Sequence, residues 1–330
     1  MIVKLSEVFQ TVMEKTVAPV LFEAPERPNV QPDDLMSEGG RKVLAFHFGK
    51  MLTRQAEVLA SDDSEAVHQM RVATRRLRST LRIFRPYYRQ SALKPFRAAL
   101  KQTAGLLGNV RDLDVYREHL TRYAKEQPSA RRRELRLIDA QLGERHAALR
   151  AELCDHLTST AYNDFLSDFA TFLKTPFAAA RELSDDQPTP CRICEVAPRL
   201  IYEQYGVVRA YEPHLATASP ERLHALRIEV KRLRYLIEAF GEVLGAQAEG
   251  VVDACKRMQD FLGELQDAKV AAQLSQTYLP NLRRGKRALE RYLATRQADQ
   301  ERLRDSLWEH WGAFSAPSVR EALGLAVAAL

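Results

Sequence analysis

Along most of this chain apolar residues recur every three or four positions, and almost nowhere do they alternate over a β-branched run, so the pattern predicts helices and no sheet. The periodic segments are roughly 37 to 60, 64 to 88, 91 to 126, 129 to 157 and 161 to 174. Ser64 is expected to cap the second, with Pro86 near its end. Gly108 and Asn109 are expected to break the third, and Pro128 separates it from the fourth. Residues 181 to 190, RELSDDQPTP, combine charge, Ser and two prolines and read as a linker. Residues 1 to 22 are expected to form an additional docking helix, followed by an irregular connection, EAPERPNVQPDD.

Beyond the linker the pattern starts again. Residues 67 to 84, VHQMRVATRRLRSTLRIF, align without gaps to 223 to 240, LHALRIEVKRLRYLIEAF, with six identities and five conservative matches in eighteen positions. Downstream, LGNVRD (Leu107 to Asp112) matches LGELQD (Leu262 to Asp267), and Lys101 falls opposite Lys256. The offsets are 156 and 155 residues, so each half carries the same two segments at the same separation. An internal duplication explains this. The expected organisation is an extension over 1 to 40, a first helical unit over 41 to 180, the linker, and a second unit over 191 to 330.

With 330 residues, 45% of them apolar, the chain is long enough to bury a sizeable core. No apolar run approaches the roughly 18 residues of a membrane span. Charged residues interrupt every apolar stretch of the N-terminus, which argues against a secretory leader. Four cysteines make no disulfide scaffold and suit a reducing compartment. A cytoplasmic location is expected.

The formal net charge is +6, with 49 Lys plus Arg against 43 Asp plus Glu. Its distribution is uneven: residues 66 to 111 hold eleven cations and no acid. On a helix, His68, Arg71, Arg75, Arg78, Arg82, Arg85 and Arg89 share one face at spacings of 3 and 4, while Met70, Ala73, Leu77, Leu81 and Phe84 lie opposite. In the second half His224, Arg227, Lys231 and Arg234 repeat the spacing, backed by Leu226, Leu233, Ile237 and Phe240. Lys94, Arg97 and Lys101 form a further cationic row. Charge runs usually form solvated faces, but those faces mix signs. Like charges at i,i+3 and i,i+4 cost about 0.2 to 0.5 kcal/mol per pair, which points to a compensating anion. Arg suits phosphate because its planar fork donates two parallel hydrogen bonds.

The motifs HQMRVATRRLR and HALRIEVKRLR, each followed by an LGxxRD-like segment, resemble the CHAD domain family, whose name refers to histidines in an α-helical domain. The resemblance implies an all-α fold of two pseudo-symmetric antiparallel four-helix bundles with a basic central groove or pore that binds inorganic polyphosphate without catalysis. Carried over by position, it implies a ligand-facing set of His68, Arg71, Arg75, Arg78, Lys101, His224, Arg227, Lys231, Arg234 and Lys256, flanked by Arg76 and Arg232. Arg82, Lys94, Arg97 and Arg111 extend the set on charge and spacing. Two departures stand out: Arg111 becomes Gln266 in the second copy, and the Arg continuation of the first stripe meets Glu238 and Gly241. The anion path is therefore expected to be lopsided toward the first copy. Relatives of this kind often carry a CYTH triphosphatase domain marked by Glu-x-Glu-x-Lys, and residues 1 to 40 hold no such motif.

Asp112 and Asp267 recur at the end of the second motif, where capping a helix or orienting a cation such as Arg111 is expected. Cys191 and Cys194 form a single CxxC that Cys154 and His156 would have to complete as a zinc site, and no metal or other cofactor is expected. Asp112 and Asp114 form a further metal-compatible pair, which the second copy does not repeat. Nucleic acid, RNA above all, is the second candidate ligand, because phosphate neutralisation is sequence-independent. No aromatic stacking residue lies between His68 and Leu81, however. An enzyme acting on phosphate chains is the third reading. It needs carboxylates for Mg²⁺ or a general base, and the basic block holds none before Asp112.

Overall fold

A computed structural model describes residues 22–182, 189–280, 282 and 284–330. The docking helix expected in residues 1 to 22 and the centre of the linker therefore lie almost wholly outside the described residues. Among the described residues every regular element is helical: α1 (Met36–Ala60), α2 (Ser64–Phe84), α3 (Gln90–Lys125), α4 (Ser129–Leu157), α5 (Thr160–Lys174), α6 (Ile193–Arg209), α7 (Pro220–Ala239), α8 (Ala248–Glu264), α9 (Asp267–Tyr278), α10 (Lys286–Asp305), α11 (Leu307–Phe314) and α12 (Pro317–Val327). The fold is all-α, and no described helix is long and apolar enough to cross a membrane.

Two compact units emerge. The first takes its described residues from Met1–Asn29, Ser37–Arg111 and Ala147–Leu183, and the second from Val30–Met36, Asp112–His146 and Ser184–Leu330. The long helices α3 and α4 thus each contribute one end to each unit.

In the first unit the apolar rows of α1, α2, α3 and α5 meet around Phe48, Phe84, Phe96 and Phe169. The rings of Phe48 and Phe169 pack edge to face with centroids 5.2 Å apart, and Phe96 lies 4.9 Å from Phe169. Gly40 lets α1 approach Phe84, since a Cβ there would fall 2.6 Å from that ring. The buried Arg150 of α4 closes the α1 C-terminus, donating to the carbonyls of Val58 (2.7 Å) and Ser61 and to the carboxylate of Asp62 (2.7 Å).

Three expectations about helix ends need correction. Asp63, not Ser64, caps α2: its carboxylate accepts from the Glu65 N–H at 3.0 Å. The α-helix stops at Phe84, because Pro86 opens a 3-10 turn over Arg85–Tyr87. Gly108 and Asn109 do not break α3, because Leu107, Val110 and Leu113 are fully buried on its inner face and hold the helix through the pair. No atom would contact a Cβ at Gly105 or Gly108. Gly105→Ala and Gly108→Ala are therefore each expected to raise stability by about 0.5 to 1 kcal/mol through reduced backbone entropy, read from the urea midpoint at constant slope.

In the second unit α7, α8, α10, α11 and α12 bury Leu226, Leu233, Phe240, Met258, Leu262, Tyr292, Trp311 and Leu323. Ser219 caps α7, accepting from Arg222 N–H at 3.3 Å, and Pro220 fills its first position. The irregular connection expected before α1 is observed, and Val30 donates its N–H to Glu242 at 2.7 Å.

Candidate functional site

The two faces expected of α2 are present as far as Phe84, but Arg85 lies in the 3-10 turn opened by Pro86 and Arg89 beyond the extended Tyr88, so neither continues the helical stripe. Met70, Ala73, Leu77, Leu81 and Phe84 are buried, and the opposite side carries His68, Arg71, Arg75 and Arg76 half-buried and Arg78 and Arg82 exposed. Phe84 being in the core, the basic face of α2 holds no aromatic ring for a base to stack on. On α3, Lys94, Arg97 and Lys101 are exposed and Arg111 is half-buried.

Folding brings Arg111 of α3 into electrostatic range of His68 on α2. Burial lowers the His68 pKa most, followed by Arg111; Glu65 pulls it up, and Arg75 and Arg71 add smaller downward pushes. The imidazole is thus neutral near pH 7, and its buried Nδ1 has no hydrogen-bond partner. A buried polar atom left in that state is a local cost to the fold.

His47 of α1, which spacing alone did not single out, lies in the field of Arg76 on α2. Its pKa is pushed down to about 3, first by burial and then by Arg76 and Lys50. It lies outside the repeated motif, so no spacing argument reaches it. Only the packing of α1 places it near Arg76.

In the second copy the same helix face is built differently. Leu226, Leu233, Ile237 and Phe240 are fully buried as expected. His224 is largely exposed and donates from Nδ1 to the Gln266 amide oxygen at 2.8 Å, which fixes the tautomer and leaves Nε2 open. Gln266 aligns with Arg111, so each stripe histidine meets the fifth residue of the downstream motif, a cation in one copy and an amide in the other. The backbone differs as well: LGNVRD lies within the unbroken α3, whereas LGELQD spans the break between α8 and α9 and buries Gln266.

Arg227 lies across α8, its Nε donating to the Gln259 carbonyl at 3.3 Å, and a Cβ on Gly263 would sit 3.3 Å from its Nη2. The glycine makes room for the guanidinium. Lys231, like Arg232 and Arg234, is half-buried, and Lys256 is exposed. Three of these cations have local carboxylates. Arg232 pairs with Glu229, whose other oxygen accepts from Gln204 at 2.9 Å. Arg234 Nε stands 3.6 Å from Glu238, and Lys256 Nζ is 2.8 Å from Asp253. The guanidinium of Arg234 also lies over the Tyr235 ring, 4.9 Å from its centroid. These local carboxylates neutralise part of the second copy's charge.

Asp267 stands in the field of His119, Arg296 and Arg227. It opens α9, where a carboxylate favours the helix dipole, and stands 4.0 Å from His119 Nδ1. Burial raises its pKa. Asp114 contacts His146 Nε2 at 2.7 Å. Among the described residues no group of three or more His, Cys, Asp or Glu side chains comes together as a metal site. The Cys191 and Arg192 N–H groups are instead bonded to Glu195 at 2.9 and 3.0 Å, so CRIC forms the start of α6.

Known proteins share the fold of this chain. A crystal structure of the CHAD domain from the plant Ricinus communis superposes with a TM-score of 0.69 at 20% identity, covering 89% of this chain and 97% of that one. PptA from Streptomyces chartreusis gives a TM-score of 0.59 at 16% identity, covering 84% of this chain and 99% of that one. Uncharacterised proteins of Mycobacterium tuberculosis, strains CDC 1551 / Oshkosh and ATCC 25618 / H37Rv, are each 29% identical over 215 residues, 64% of this chain. The aligned part spans 40% of the length of those relatives. The family description "CHAD domain" matches residues 42–276, which takes in both copies of the basic motif, and the chain belongs to the CHAD domain family.

Proposed function

We propose that this chain is a non-catalytic module that binds inorganic polyphosphate in the cytoplasm, at polyphosphate granules where these form. The observation that carries the reading is the half-buried cluster of Arg71, Arg75 and Arg111 around His68, whose buried Nδ1 has no hydrogen-bond partner. Half-buried guanidiniums bind phosphate more strongly than fully solvated ones, because less water screens them. Exposed Arg78, Arg82, Lys94, Arg97 and Lys101 continue the basic surface and suit a ligand carrying many phosphates. Arg76 sits in the same half-buried part of the stripe.

A phosphoanhydride chain fits this surface better than nucleic acid does. It has neither sugars nor bases, and the stripe offers guanidiniums without stacking partners. The expected result is that long-chain polyphosphate displaces a labelled RNA oligonucleotide at equal phosphate concentration and 0.15 M salt, with binding that weakens steeply as salt rises. Efficient displacement of polyphosphate by RNA in the same titration would overturn the assignment in favour of a nucleic-acid module. Loss of phosphate from the chain on incubation with Mg²⁺ would overturn the non-catalytic part.

A further inference from the structure

The LGELQD break borders a cleft of about 500 Å³ whose lining belongs wholly to the second unit. Glu264, the last residue of α8, and Asp267, the first of α9, form one side of it. Arg296, Asp299 and Arg302, at successive turns of α10, form another, and His119 and Arg122 of α3 join them. Asp112, the counterpart of Asp267, lies instead within the unbroken α3.

Charge in this cleft is segregated by element. On α10, Asp299 pairs with both Arg296 and Arg302, so two cations share one carboxylate. Arg296 also keeps a buried Nε that makes no hydrogen bond. On α3, Arg122 is paired with Glu118 at 2.8 Å, and burial lowers the His119 pKa, so the imidazole adds little positive charge near pH 7. The α8–α9 side carries two acids three residues apart. Asp267 stands 4.0 Å from His119 Nδ1, beyond hydrogen-bond distance. Burial raises its pKa most, His119 and Arg296 pull it down, and Glu264 pushes it up again. Glu264 itself ends α8, where the helix dipole favours a cation and disfavours a carboxylate.

We propose that this cleft binds a small zwitterion of the α-amino-acid class, its ammonium group held by Glu264 and Asp267 and its carboxylate by Arg296 and Arg302. The inference stands apart from the polyphosphate reading. An ammonium offers three donors to the two acids, and a carboxylate accepts from the guanidinium forks of α10. A simple amine satisfies the acids but meets the arginines, and a simple anion does the reverse. A ligand carrying both charges a few bonds apart matches both sides. The volume is ordinary for a small-molecule site and admits an amino acid with its side chain, against which Leu303 supplies apolar surface.

The test uses the full chain and the common α-amino acids, each at about 5 mM, in thermal melts followed by isothermal titration. At least one is expected to raise the melting temperature by about 2 °C or more. Its N-acetyl derivative and its methyl ester, each lacking one charge, should bind at least about tenfold more weakly. Glu264→Gln and Arg296→Gln should each weaken the amino acid about tenfold, and Glu249→Gln, exposed on the first turn of α8 and outside the cleft, by less than about twofold. Glu264→Gln should bind long-chain polyphosphate like the parent, which keeps this test separate from the RNA competition. Absence of stabilisation by every amino acid would overturn the inference. So would a blocked derivative that binds as well as the amino acid, since the cleft would then be a simple anion or cation site. Arg296 also lies over the Tyr292 ring, 5.9 Å from its centroid, so melting curves check that its variant folds. Glu264 is exposed, and unchanged affinity in a folded Glu264→Gln overturns the inference whatever becomes of the Arg296 variant.

Discussion

Replacing Arg78 and Arg82 with Gln is expected to weaken long-chain polyphosphate binding about thirtyfold while leaving the unliganded protein as stable as before. Both side chains are exposed on α2, one turn apart, on the face opposite buried Leu77 and Leu81. A charge-assisted phosphate contact at such a site contributes about 1 kcal/mol, at the low end for hydrogen bonds to charged groups because water screens it. Two contacts together give the expected loss. Against this, the i,i+4 repulsion between the arginines disappears, worth about 0.2 to 0.5 kcal/mol, and Gln keeps helix propensity nearly unchanged. The rise in melting temperature on adding polyphosphate should shrink in parallel, because it follows binding to the native state. Isothermal titration and thermal melts of the two proteins check both halves of the expectation. An unfolded double variant that still bound polyphosphate would make the stripe part of the fold.

Acid is expected to destabilise the unliganded protein through its histidines, with His47 in the lead. Its folded-state pKa of about 3 lies below the ordinary 6.5, so below pH 6.5 the unfolded chain binds a proton that the folded one refuses. Stability from this group is complete above pH 6.5 and is lost progressively as pH falls toward 3. Between pH 7.5 and 4.5 the loss amounts to about 2 kcal/mol, discounted for the partial exposure of the ring. His68, His119 and His156 are also held low by burial and act in the same direction, whereas Asp267, raised by burial, acts against them. Urea titrations at the two pH values should show His47→Gln losing about 2 kcal/mol less than the parent chain. Identical pH dependence in the two proteins would remove His47 as the cause. Ligand reverses the sign at His68: a polyanion beside it stabilises the imidazolium, so the pKa rises in the complex and polyphosphate affinity should fall as pH rises through the complex value. A flat affinity between pH 5.5 and 8 would leave His68 a structural role.

Much of the first copy was legible because helical periodicity is a local property. The heptad-like spacing from His68 to Arg82 places every cation opposite Met70, Leu77 and Phe84 whatever the rest of the chain does, and burial of that apolar row follows. The carboxylate pairs of the second copy are local too, at i,i+3 and i,i+4. The α2 cap was misread for an equally local reason. Asp63 and Ser64 are adjacent and both can cap, and the choice between them depends on which residue keeps extended backbone angles.

The sequence by itself determined the all-helical class, the repeat, the buried and basic faces of α2 and α7, and membership of the CHAD domain family, because each depends on residue spacing within one element. Tertiary structure alone decided which elements bring their charges together. It placed His47 near Arg76 and Arg111 near His68, and it hydrogen-bonded Gln266 to His224 at 2.8 Å. It also kept LGNVRD in one continuous helix while breaking LGELQD into two, although the motifs read almost alike. The physical reason is that these features depend on burial and on contacts across tens of residues. Desolvation and the field of a distant guanidinium set a histidine's charge, and packing on either side of a Gly-containing segment decides whether the helix continues.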